Sequence, residues 1–149
     1  MNRDISMRGL LAVLLAILVL LNHEAVAQTP AGHLSYKVLE QRSIPNAGFA
    51  RTIVLSKVNP NEADLRALGE KLKRDTKSER NAFIWVYDDE RAARNRRAAI
   101  SEKLTKTELQ HHDRHYVALY SRNANTGNHE LQIYPSGFSA NGPFIQVKY

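Results

Sequence analysis

Ala82-Phe83-Ile84-Trp85-Val86-Tyr87 is, beyond the N-terminal region, the one stretch in which six consecutive residues are apolar or aromatic. A short, unbroken run rich in β-branched and aromatic side chains, closed by Asp88 and Asp89, has the pattern of a strand buried on both faces. It reads as the central strand of a sheet, entered from one helix and left through another.

Upstream, Asn59-Pro60-Asn61-Glu62 announces the first helix. Asn59 suits the cap, Pro60 the first helical position, and Glu62 can reach back to the cap residue's own N–H. Leu65, Leu68 and Leu72 form an apolar stripe, while Glu70, Lys71, Lys73 and Arg74 face water. Gly69 costs about 1 kcal/mol relative to Ala in a helix, yet on that stripe it permits a close approach. Further back, Leu34, Tyr36 and Val38 alternate with Ser35 and Lys37. Ile44-Pro45-Asn46-Ala47-Gly48 then supplies turn formers, and Arg51 to Val58 resumes strand chemistry, which predicts a hairpin.

Downstream, Asp88 or Asp89 caps a second helix with Ala92, Ala93, Ala99 and Ile100 on its narrow apolar face. Periodicity fades from Ser101 to Arg114. Strands are expected at His115 to Arg122 and His129 to Tyr134, joined by a loop with Gly127 near its end. A last edge strand falls at Phe144 to Val147. The order is ββαβαββ, with one further β at the end. The expected class is therefore α/β (α+β), a two-layer sandwich with a mixed five- or six-stranded sheet. Both helices are expected on one face, because successive right-handed crossovers between parallel strands would put them there.

Arg3 and Arg8 precede the apolar run Leu10 to Leu21, which is followed by Asn22-His23-Glu24 and Ala25-Val26-Ala27. This is the pattern of a secretory signal peptide over residues 1–27, cleaved after Ala27, and the apolar run is short for a membrane span. Residues 28–33 read as a linker and 34–149 as one globular domain. Export places the protein in the periplasm or outside the cell, soluble and with no spanning segment after cleavage. Losing the leader leaves 19 basic and 13 acidic residues, so the net charge stays at +6. A basic exported protein favours anionic partners such as envelope polymers, with an attraction that salt screens. The absence of cysteine excludes thiol catalysis, cysteine-ligated zinc, iron-sulfur clusters and c-type haem attachment.

Three groups of residues are candidates for an activity. Strand alternation assembles Phe83, Trp85 and Tyr87 with Tyr116 and Tyr120 into an aromatic sheet face, opposite an aliphatic set of Ala82, Ile84, Val86, Ile53, Leu55, Val117 and Leu119. Such a face stacks on sugar rings or bases, or buries itself against a partner. The plainer alternative has the tail, with Phe138, Phe144 and Tyr149, folding over it as a second core. Arg91, Arg94 and Arg97, at helical spacings, are the candidate anion grip, against the reading of a solvated face held by ion pairs. His111, Asp113 and His115 project to one side of an extended chain and form a candidate divalent-metal set; in a helix only His111 and His115 share a face.

No nucleophile elbow, phosphate-binding glycine loop or RNA-recognition signature is present, so nucleotide cofactors and nucleic acid are disfavoured. The sequence favours a non-catalytic binding or accessory module of the bacterial cell envelope, without a cofactor, its partner an anionic polymer or another envelope protein. The alternative is a small metal-dependent hydrolase using His111, Asp113 and His115. The third reading is a structural protein that self-associates as a homodimer burying Trp85.

Overall fold

The computed structural model describes residues 34–46 and 48–149; the expected leader and linker lie outside the described residues. The fold is a mixed α/β one. Six strands, β1 (Tyr36–Ile44), β2 (Gly48–Leu55), β3 (Asn81–Tyr87), β4 (Tyr116–Asn123), β5 (Asn128–Ile133) and β6 (Ile145–Lys148), form one sheet in the order β1-β2-β3-β4-β5-β6. Helix α1 (Glu62–Asp75) joins β2 to β3, and three short helices, α2 (Glu90–Arg94), α3 (Arg96–Ile100) and α4 (Lys106–His115), join β3 to β4. Among the described residues no helix is long and apolar enough to cross a membrane.

The order of elements and the mixed six-stranded sheet agree with the sequence reading; the placing of the helices does not. Only β2 and β3 are parallel, and β4 returns antiparallel to β3. The handedness rule constrains crossovers between parallel neighbours, so it fixes α1 and leaves the excursion after β3 free to cross to the other side. Leu65, Leu68 and Leu72 of α1 cover the first face, packing with Ile53, Ile84, Val86, Leu131 and Ile133, all 2% exposed or less. Ala92 and Ala93 of α2 instead pack on Tyr87, Tyr116 and Trp85 on the second face. Small side chains let α2 sit close, and these helices cover only the part of that face nearest the end of β3.

Helix α1 begins two residues later than its sequence suggests. Asn61 is the cap: its Oδ1 accepts from the Asp64 N–H at 2.9 Å, and Asp64 Oδ2 accepts from the Asn61 N–H at 3.0 Å. Asn59 adopts a left-handed conformation (φ 51°) and donates its N–H to Asp88 Oδ2 at 2.7 Å. It thus ties the start of α1 to the end of β3 instead of capping.

Candidate functional site

A single inserted residue sorts the aromatic side chains. Along β3 and β4, Val86 is opposite Ala118 but Tyr87 is opposite Tyr116, leaving Val117 without an opposite residue. Such a bulge reverses the in-and-out alternation on one side of itself. Tyr116 therefore shares the second face with Tyr87, while Tyr120 lies in the first-face core with its hydroxyl 3.0 Å from Thr76 Oγ1. Leu119, assigned by strict alternation to the aliphatic set, turns to the second face beside Trp85.

Of the five aromatic candidates, three are core residues. Tyr87 and Tyr120 are fully buried and Tyr116 nearly so. Tyr87 stacks on Tyr116 with centroids 5.1 Å apart, and its hydroxyl lies 3.0 Å from His112 Nε2. Burial pushes both phenols well above the ordinary tyrosine range. The tail divides between the faces: Phe138 packs on Tyr116 and Tyr134, whereas Tyr149 packs against the first-face core.

Phe83 and Trp85 are the two candidates left half-buried. Their rings meet edge to face at 4.8 Å, and the Arg96 guanidinium lies 4.0 Å from the Trp85 ring centroid. Arg96 is 5% exposed and donates to Thr52 Oγ1 at 2.9 Å. It closes one end of the uncovered sheet. Beyond it, Phe83 and Leu119 floor a trough of about 410 Å³ whose polar rim includes Ser121, Asn128, Glu130 and Gln132. The rim is internally bonded. Gln132 Nε2 donates to Glu130 Oε1 at 2.9 Å, Gln146 Nε2 donates to Glu130 Oε2, and Asn128 Nδ2 donates to Ser121 Oγ at 3.2 Å. Asn81, at the foot of β3, also lines it. The polar residues here escaped the sequence reading because isolated Ser, Asn, Glu and Gln on alternating positions carry no motif. Their common signal is the even spacing of Asn128, Glu130 and Gln132 on one strand.

The histidine segment is helical, so its side chains diverge. His111 and His115 stay together, ring centroids 4.7 Å apart, while Asp113 Oδ1 turns to His112 Nδ1 at 2.8 Å. His115 Nδ1 lies 2.8 Å from Oδ1 of Asp88, a carboxylate 3% exposed. The set His111, Asp113 and His115 is thus not assembled: His111 and His115 are the pair placed to share a ligand. Among the described residues no three His, Asp or Glu side chains are placed to hold a metal ion. Helix α4, which carries them, was missed because its face lacks an apolar stripe. Its signal is the capping box of Thr105 and Glu108.

The arginine row is largely engaged. Arg94 Nε donates to Glu90 at 3.0 Å and Arg97 Nε to Glu40 at 3.1 Å, while Arg91 is exposed. Hydrogen bonding from Arg97, with the Arg96 charge adding to it, holds the Glu40 carboxyl below its usual range. The row is a solvated face held by ion pairs more than an open anion grip.

Comparison with protein-family models, with curated proteins and with solved structures gives no match to the chain.

Proposed function

We propose that the protein is a non-catalytic binding module of the cell envelope that takes its ligand in the trough on the second face of the sheet. The observation that carries this reading is the incomplete cover of that face: α2 to α4 pack on Tyr87, Tyr116 and Trp85, while Phe83 and Leu119 form an open floor ringed by polar side chains. An apolar floor with a few polar groups around it is the usual make-up of a ligand site, and about 410 Å³ falls within the range of about 300–1,000 Å³ such sites occupy. The leader-like N-terminus supports an envelope location. The net charge of +6 adds a general, salt-screened attraction to anionic polymers around it.

Trp85 is the only tryptophan and touches Phe83, so its emission reports on the trough. Titration with dialysed envelope polysaccharide is expected to change that emission, and Phe83→Ala is expected to move the response to about five- to tenfold higher concentration while the protein still unfolds cooperatively. A response at unchanged concentrations in Phe83→Ala, or trough amide resonances that stay still throughout the titration, would remove the reading. Emission that changes with protein concentration alone would favour self-association through this face.

A further inference from the structure

Taking the trough as the ligand site, we infer that its ligand is a neutral, hydroxyl-rich ring, the sugar residue of a glycan. Three observations converge on that class. The first is the floor: Phe83 and Leu119 offer an aromatic and an aliphatic surface side by side, suited to the C–H face of a pyranose.

The second is the hydrogen-bonding balance of the walls. Gln132 and Gln146 spend amide hydrogens on Glu130, and Asn128 spends one on Ser121. Asn81 Nδ2 donates to the carbonyls of Pro45 at 3.3 Å and Asn46 at 3.2 Å, which fixes the amide's orientation. Its Oδ1 is buried, in a residue only 8% exposed, and is closed to a ligand in the trough. The Glu130 oxygens each accept one amide N–H and retain a further lone pair. The Asn128, Gln132 and Gln146 amides each keep a second N–H, so the rim offers acceptors and donors together, which hydroxyl groups, able both to donate and to accept, satisfy.

The third is charge. Among the described lining residues Glu130 is the one carboxylate, and the one cation, Arg122, donates from its guanidinium to the Thr76 carbonyl at 2.9 Å. A phosphate or uronate entering here meets the Glu130 carboxylate, while the Arg122 guanidinium is drawn to Thr76 from a position opposite Ala82 of the first-face core; a neutral hydroxylated ring meets no such repulsion.

Chitotetraose, cellotetraose and maltotetraose serve as neutral probes, tetragalacturonate and tetralysine as charged ones. Binding is followed by calorimetry and by amide chemical shifts on the whole protein. At least one neutral tetrasaccharide is expected to bind, with shifts confined to Phe83, Leu119, Ser121 and the Asn128 to Gln132 strand. Phe83→Ala should then weaken it by about five- to tenfold, the worth of one aromatic contact. Ser121→Ala, on the rim, gives a second readout if Phe83→Ala does not fold. Failure of all three neutral probes overturns the sugar inference. If a charged probe then binds with shifts in the trough and loses affinity in the variants, the trough reading survives without it. Shifts that fall elsewhere for every probe, or affinities that neither variant alters, overturn both.

Discussion

Gly69 shows how far a single residue could be read in advance. Its place on the Leu65, Leu68 and Leu72 stripe announces a close approach, and there is one, but the neighbour is not sheet backbone. A Cβ at Gly69 would stand 1.8 Å from the hydroxyl of Tyr149, the last residue of the chain, and 3.0 Å from Leu131 Cδ2. No local pattern links residues eighty positions apart, so the partner was invisible while the need for a small residue was plain. The Tyr149 hydroxyl is also buried and has no partner among the described residues. Gly69→Ala gains about 1 kcal/mol of helix propensity but must displace that hydroxyl. The expected outcome is a net loss of about 1–2 kcal/mol in urea unfolding, in the range of overpacked cores. Tyr149→Phe alone is expected to be neutral or slightly stabilising. In its background the Gly69→Ala loss should shrink by about 1 kcal/mol, a coupling that a double-mutant cycle reads directly.

At the scale of elements, strands and stripes were legible where periodicity was strong: the central strand, the α1 stripe and the hairpin of β1 and β2. Two things were not. One is the Val117 bulge, because alternation on either side of it looks regular and only the pairing with β3 reveals the inserted residue. That one residue removed Tyr120 from the aromatic face and brought Leu119 to it, so the trough could not be drawn from sequence. The other is the cap of α1. Asn59-Pro60 has strong capping chemistry, but Asp88 claims the Asn59 N–H, and the reciprocal pair Asn61 and Asp64 opens the helix instead. Two substitutions separate these roles. Asn61→Ala should cost about 1–2 kcal/mol in urea unfolding. Asn59→Gly, which keeps the N–H and tolerates a left-handed backbone, should change stability by less than about 0.5 kcal/mol. Equal losses at both positions would contradict the assignment of the cap.

For the molecule as a whole, acid stability follows from groups whose folded state resists protonation. His129 is lowered from its ordinary value near 6.5, first by burial and then by the Arg122 and Lys73 charges; its Nε2 lies 2.6 Å from the Tyr120 hydroxyl. The unfolded chain therefore binds this proton more readily, and stability from His129 is full above about pH 6.5 and falls as the pH drops from there toward the lowered folded value. Asp64, lowered chiefly by its hydrogen bond from Lys57, and Glu40 act in the same direction below the ordinary carboxylate range near pH 4. Unfolding free energy measured from pH 8 to 3 should thus fall in two stages, and His129→Gln should flatten the first while leaving the second. An unchanged first stage in that variant would assign it to other groups. Net charge and class were readable from composition and element order; this titration depends on contacts between β4, β5 and α1 that only the assembled sheet supplies. The sheet itself has a property that bears on how it is made. Its spatial order repeats its order along the chain, so each strand from β2 onward pairs with the one synthesised just before it. A chain emerging N-terminus first can add each strand to an edge already waiting, without holding a gap open for a later arrival. Tyr149, just past the sixth strand, then settles against Gly69 of a helix formed much earlier.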